Sequence, residues 1–110
     1  MHIQIHYQDV DSSQWIDQFI TRKVEKLERY LTPASMIHVH LKFLKGVYIT
    51  SVDIHNPYKD YAFSGDGDNL YASFSLAVDK ASRALGEQKR RMKDKIHNKI
   101  TSLKKADLAA

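Results

Sequence analysis

From His2 to Tyr7 polar and apolar residues alternate, with Ile3, Ile5 and Tyr7 on one side and His2, Gln4 and His6 on the other. A period of two predicts a half-buried strand that begins almost at the first residue. Asp9-Val10-Asp11-Ser12-Ser13 breaks the alternation. Ser12 or Ser13 is suited to cap a helix, because its hydroxyl can accept an otherwise unpaired amide of the first turn. The period then lengthens. Ile16, Phe19, Ile20, Val24, Leu27 and Leu31 recur three and four apart, which predicts a helix from Gln14 to about Leu31 with Trp15 at the edge of its buried stripe. Thr32-Pro33 stops it, since proline has no amide to continue the ladder and restricts the residue before it.

Alternation returns with Ile37, Val39, Leu41 and Phe43 set against Met36, His38, His40 and Lys42, a second strand. Lys45-Gly46 reads as a turn, and a third strand runs from about Val47 to Ile54 with Tyr48, Thr50, Val52 and Ile54 on one face. Asn56-Pro57 marks another turn before a short fourth strand near Asp60 to Ser64. Gly65-Asp66-Gly67-Asp68 then reads as a boundary, its glycines as turn residues and Asp68 as the cap of a long second helix reaching about Ile100. Leu70, Phe74, Ala77, Ala81, Leu85, Gln88 and Met92 trace the stripe of that helix that faces the core, with Gly86 a weak point in its middle.

The element order is therefore β-α-β-β-β-α. A helix between the first two strands calls for a right-handed crossover and parallel pairing, while the two short junctions that follow suit antiparallel hairpins. Each helix has one apolar side, so both are expected on the same face of a four-stranded mixed sheet, a two-layer α/β fold. A single domain over residues 1–100 with a mobile carboxy-terminal tail over 101–110 is expected.

Composition narrows the classes. At 43% hydrophobic, with six Tyr, four Phe and one Trp, the chain belongs among folding sequences. It has no cysteine, which removes disulfides, thiolate nucleophiles and Cys-ligated zinc. No charged segment followed by an apolar run opens the chain, and no run approaches the roughly 20 apolar residues of a membrane helix, so a cytoplasmic protein is expected.

Charge is the most informative feature. Between Lys80 and Lys105 ten Lys and Arg face only Glu87 and Asp94, a net of +8, whereas residues 1–79 carry a net of −3. A basic helix on an otherwise weakly acidic domain points to a polyanion, and nucleic acid is the first candidate. Lys89, Arg90 and Lys93 stand at helical spacing along a possible phosphate track that Lys80 and Arg83 extend towards the core. The alternative is a regulatory module whose basic arm docks on an acidic protein surface. No helix-turn-helix, zinc finger or heptad repeat is present, and a small α/β domain with basic helices resembles architectures that read RNA shape.

Other groups carry less. His2, His6, His38 and His40 lie on the polar sides of two strands and could approach a metal if those strands are neighbours. The lack of a helical histidine pair or a fixed carboxylate favours reading them as polar residues on an open sheet face, and no metal or cofactor is expected. Tyr30, Tyr58, Tyr61 and Tyr71 can be stacking groups or rim aromatics, and His55 and His97 have no evident partner. Asp53 and Asp60 make no convincing acid/base pair. The Gly65–Gly67 segment is no phosphate loop, because Asp66 and Asp68 would repel the ligand. No nucleophile–base constellation stands out, so an enzyme is not expected.

These features together resemble the short bacterial ribosome hibernation factors, the family of the hibernation-promoting factor and the ribosome-associated translation inhibitor. The likeness covers most of residues 1–95. It lies in the opening strand, the helix Ile20-Thr-Arg-Lys-Val-Glu-Lys-Leu-Glu-Arg29, the Asn56-Pro57 turn, the helix entry Asp68-Asn-Leu-Tyr-Ala72 and the basic run after Lys80. The resemblance implies a fold similar to double-stranded RNA-binding domains. It implies binding to 16S rRNA in the small-subunit channel, mutually exclusive with mRNA and tRNA, with inhibition of translation in stationary phase or stress. It maps the rRNA-facing positions onto Lys23, Lys26, Lys80, Arg83, Lys89, Arg90 and Lys93, with Arg22 and Arg29 as looser candidates.

The chain also departs from the family pattern. The usual acid is missing from Leu70-Tyr71-Ala72-Ser73-Phe74-Ser75, and Lys80-Ala81-Ser82-Arg83-Ala84-Leu85-Gly86-Glu87 lacks a glutamine and two basic positions. Among short forms, one aids ribosome dimerisation together with a small ribosome modulation factor and one obstructs it. Positive charge after Lys95 favours the dimer-permitting form.

Overall fold

The computed structural model describes the backbone from Met1 to Ala109 and the side chains as far as Arg91. Its elements are β1 (His2–Gln8), α1 (Gln14–Glu25), a 3-10 helix (Lys26–Tyr30), β2 (Met36–Leu44), β3 (Val47–His55), β4 (Asp60–Gly67) and α2 (Leu70–Ala109). The strands lie in the order β1-β2-β3-β4, with β1 and β2 parallel and the other two pairs antiparallel. This is the expected mixed sheet with its one crossover.

Register aligns the apolar positions into rows across all four strands. Ile3, Ile37, Ile54 and Tyr61 form one row, Ile5, Val39, Val52 and Phe63 a second, and Tyr7, Leu41, Thr50 and Gly65 a third. Both helices cover this face: Ile20 and Val24 of α1, Leu27 of the 3-10 helix, and Phe74, Ala77, Ala81 and Leu85 of α2 join the strand residues in one core. The opposite face is open, with Gln4, His38, Asp53 and Ala62 in one row and His6, His40, Ser51 and Ser64 in the next. Near one edge of the covered face the Tyr7 hydroxyl donates to Asp17, tying β1 to α1. Burial, and then the nearby carboxylate, push the ionisation of that phenol well above its ordinary range.

Local chemistry accounts for most element ends. The Ser13 hydroxyl accepts the Ile16 amide at 3.1 Å. The β2–β3 hairpin turns through Lys45 and Gly46 with φ of 51° and 79°, the doubly left-handed turn whose twist matches that of paired strands. At the other hairpin the Asn56 side-chain oxygen accepts the amides of Tyr58 and Lys59 at 2.9 and 2.8 Å, so an Asx turn holds that loop.

Four expectations change. The first helix does not run uniformly to Leu31: it tightens after Glu25, and the Leu31 amide donates to Glu28, three residues back. Three residues per turn bring Leu27 and Tyr30 onto one side. Leu27 is buried in the core and Tyr30 packs against it. Gly65 and Gly67 are not turn residues but belong to β4, which runs to Gly67 rather than Ser64. A Cβ at Gly65 would stand 2.7 Å from the Ala77 nitrogen and the Ser73 oxygen. The glycine is therefore what lets the α2 backbone rest on the strand. Asn69 rather than Asp68 caps α2, its side-chain oxygen accepting the Ala72 amide at 2.8 Å. Finally, the helical backbone continues to Ala109, past the expected end near Ile100. The side chains of the expected tail over 101–110 lie outside the described residues.

Polar atoms inside the core are paired. The Thr50 and Ser73 hydroxyls lie 2.9 Å apart, and that of Ser73 also donates to the Leu70 carbonyl at 2.9 Å. Among the described residues no buried side-chain nitrogen or oxygen lacks a partner.

Candidate nucleic-acid interface

Among the described residues, the cations of α2 do not form one stripe. Lys80 and Lys89, nine residues apart, leave an α-helix on sides about 180° apart. Arg83 and Arg90, seven apart, fall within about 20° of each other. Lys80 reaches the outer edge of β4, where its ammonium donates to the Ser64 carbonyl at 2.9 Å. A lysine there occupies a backbone acceptor on an edge strand. Lys89 reaches the other way and donates to the Arg29 carbonyl at 2.7 Å. That carbonyl is near the end of the 3-10 helix, where acceptors lack partners within the helix and cations are favoured.

Arg83 and Arg90 project between these flanks, both exposed, and border a groove with Tyr30 and Gly86. A Cβ on Gly86 would lie 3.7 Å from the Tyr30 ring, an ordinary contact. On α1, the Lys23 ammonium stands 5.8 Å from the centre of the Phe19 ring, which itself packs on Tyr71 and Phe74 of α2. Lys26 follows three residues on and is exposed. The Arg29 guanidinium lies 5.7 Å from the Tyr30 ring centre.

Of the expected rRNA-facing residues, the structure thus gathers Arg83, Lys89 and Arg90 around the junction of α2 with the 3-10 helix. Lys23 and Lys26 stand on the neighbouring side of the first helical segment. Lys80 is on the far flank of α2. Arg22 is on another side of α1, in a shallow groove with Asp17 and Glu25. Lys93 belongs to α2, but its side chain lies outside the described residues.

Sequence reasoning missed a second groove beside the first. Tyr30, Tyr58 and Tyr61 line it together with Arg29, Lys59 and Lys89. The Tyr61 hydroxyl donates to Gln88, and the Lys59 ammonium stands 5.3 Å from the Tyr61 ring centre. An Asn-Pro turn bearing a tyrosine and a lysine was the available signal. Which helix it faces was not readable, because 27 positions separate Tyr61 from Gln88. Tyr71 does not join these tyrosines and packs instead with Trp15 and Phe19.

The histidines take the open sheet face. The His6 and His40 rings stack with centres 4.8 Å apart, and His6 and His38 with centres 6.0 Å apart. Stacked rings do not turn their nitrogen lone pairs towards one point. Among the described residues no group of three or more potential ligands can hold a metal. His55 has a partner after all, Asp60, at 3.2 Å, and His40 stands 3.7 Å from Asp53. Each of those aspartates therefore faces an imidazole. The side chain of His97 lies outside the described residues.

With this geometry in place, the relatives give it context. The family described as Sigma 54 modulation protein / S30EA ribosomal protein matches residues 3–93. The chain belongs to this family. It is a family of ribosome-associated proteins rather than enzymes. The protein named ribosome hibernation promoting factor from Salmonella typhimurium is 28% identical over 93 residues, which are 84% of this chain and 98% of that one. The protein of the same name from Escherichia coli K12 is 27% identical over the same shares.

Two solved structures share the fold. The N-terminal domain of Thermus thermophilus Protein Y superposes with a TM-score of 0.70 at 20% identity, covering 77% of this chain and 96% of that domain. A ribosomal subunit interface protein from Coxiella burnetii gives 0.68 at 24% identity, covering 82% and 99%.

Proposed function

We propose that the protein is a ribosome hibernation factor. It binds 16S rRNA in the small-subunit channel that mRNA and tRNA otherwise occupy, and inhibits translation under stationary-phase or stress conditions in the cytoplasm. The observation that carries this reading is the convergence of Arg83, Lys89 and Arg90 of α2 on the 3-10 helix, in a member of the S30EA family. Lys23 and Lys26 extend the cationic surface along the first helix, and Lys80 and Lys93 add charge along α2. Exposed cations on a rigid helix meet phosphates without base readout, so rRNA shape and charge are what they recognise. The compact body beside them then fills the channel and excludes mRNA and tRNA. No cofactor enters this activity.

Co-sedimentation with purified small subunits tests the reading. Six phosphate contacts give a log–log salt slope of about −5, so binding falls about a thousandfold or more between 50 and 200 mM salt. Added mRNA or tRNA is expected to displace the protein. Binding that ignores salt and survives nuclease treatment would instead point to an acidic protein partner. The basic segment after Lys95 supports the dimer-permitting form acting beside a small ribosome modulation factor, and fractionated stationary-phase extracts should then show the protein in ribosome dimers.

A further inference from the structure

We propose that the groove between the 3-10 helix, the β3–β4 turn and α2 receives an unpaired nucleobase of the bound RNA, stacked on Tyr58, with the flanking phosphates held by Arg29 and Lys59. The inference deepens the rRNA-binding reading and rests on it for the identity of the RNA.

Tyr58 is the starting point. It is 86% exposed, the highest value for a large hydrophobic residue among the described residues. The backbone that carries it is nevertheless held in place, because the Asn56 side-chain oxygen accepts both the Tyr58 amide and that of Lys59. An aromatic face presented to water on an ordered turn is ready to stack at little cost in chain entropy. The groove it borders measures about 580 Å³, within the usual range of roughly 300 to 1,000 Å³ for small-ligand sites. Leu31 and Leu85 contribute apolar floor, and Tyr30 and Tyr61 contribute ring edges and faces.

Charge then selects the ligand. Arg29, Lys59 and Lys89 line the groove, and no carboxylate does. Lys89 is engaged with the Arg29 carbonyl, while the Arg29 guanidinium and the Lys59 ammonium lie over the Tyr30 and Tyr61 rings and have no carboxylate partner in the groove. Flat aromatic surface surrounded by cations fits a nucleotide, whose base is a π-face and whose phosphates are anions. The other aromatic cluster makes the contrast. Trp15 and Tyr71 are also exposed, but the groove beside Tyr71 is lined by Asp9 and Asp11, which repel phosphate. Two neighbouring grooves also set cations beside aromatic rings, Lys59 and Arg91 with Tyr61 and Phe63, and Arg83 and Arg90 with Tyr30, but Glu87 lines both; among these grooves the Tyr58 groove alone has no carboxylate.

The test uses the intact protein and two labelled single-stranded adenylate RNAs of equal length, one with bases and one with abasic riboses, read by fluorescence anisotropy. Stacking on an aromatic side chain predicts that the wild type prefers the base-bearing RNA by about five- to hundredfold. Tyr58→Ala is expected to erase that preference while leaving abasic binding unchanged, and Tyr58→Phe to keep it. Tyr58 is exposed, so circular dichroism and the unfolding midpoint should not move. Equal binding of the two RNAs by the wild type, or a Tyr58→Ala protein that keeps the preference, would overturn the proposal. So would displacement of the base-bearing RNA by polyglutamate as readily as by unlabelled RNA. A parallel co-sedimentation with small subunits separates the two readings. Subunit binding without base preference sinks the groove alone, whereas base preference without subunit binding upholds the groove and sinks the hibernation role.

Discussion

Two stretches of α2 are built on different principles. From Leu70 to Leu85 the helix is held by close packing: Phe74, Ala77, Ala81 and Leu85 are between 0% and 3% exposed, and the backbone rests on Gly65. From Gly86 to Arg91 the contacts are polar and lie at the edge of the fold, through Tyr61 to Gln88 and Lys89 to Arg29, with Arg90 and Arg91 in solvent. The first stretch decides where the helix goes, and the second presents charge there. A helix can carry a dense basic surface without destabilising the domain when its position is already set by apolar contacts elsewhere.

The comparison can be broken from the packed side. Phe74→Ala is expected to cost about 3–5 kcal/mol, a large share of the roughly 5–15 kcal/mol that holds a small domain folded, and urea unfolding would show it. Gly65→Ala comes next. The added methyl has backbone rather than a movable side chain in its way, so a loss of about 1–3 kcal/mol is expected as α2 lifts from β4. If Gly65→Ala were as stable as the parent, the close approach of helix and strand would be wrong.

That glycine also shows what could be read from the chain and what could not. The strand faces were legible because Ile3, Ile37, Val39, Val52 and Ile54 obey a period of two, and each strand's own periodicity determines its inward side. The parallel β1–β2 pairing followed from the helix between those strands, which calls for a crossover. Gly65-Asp66-Gly67 was misread as a turn because glycine and aspartate disfavour strands locally, whereas the reason for the glycines is a helix packed across them. The 3-10 segment was hidden for a similar reason, since Tyr30 packs against a core that includes Leu85 of α2, distant in sequence. In the candidate site, the identity of the cations was plain from composition. Their division into Lys80 on one flank, Lys89 on the other and Arg83 with Arg90 between them required the phase of α2 against its neighbours.

Smaller changes sharpen the contrast from the polar side. At Gly86 a Cβ meets Tyr30 only at an ordinary distance, and the helix gains from a residue with less freedom when unfolded. Gly86→Ala is therefore expected to raise stability by about 0.5–1 kcal/mol. The same substitution thus has opposite signs at Gly65 and Gly86. Neutralising the solvent-facing pair, Arg83→Gln with Arg90→Gln, should change stability by no more than about 0.5 kcal/mol, while the salt slope of RNA binding falls by about 2. A stability loss comparable to that of Gly65→Ala would mean these two exposed arginines are structural after all.

The most direct measurement is co-sedimentation of the Arg83→Glu, Arg90→Glu protein with small ribosomal subunits at low salt, beside the parent and with unfolding midpoints recorded for both. The expected result is an unchanged midpoint and protein left in the supernatant. Undiminished pelleting by the charge-reversed protein would contradict the assignment of this helix surface to ribosomal RNA.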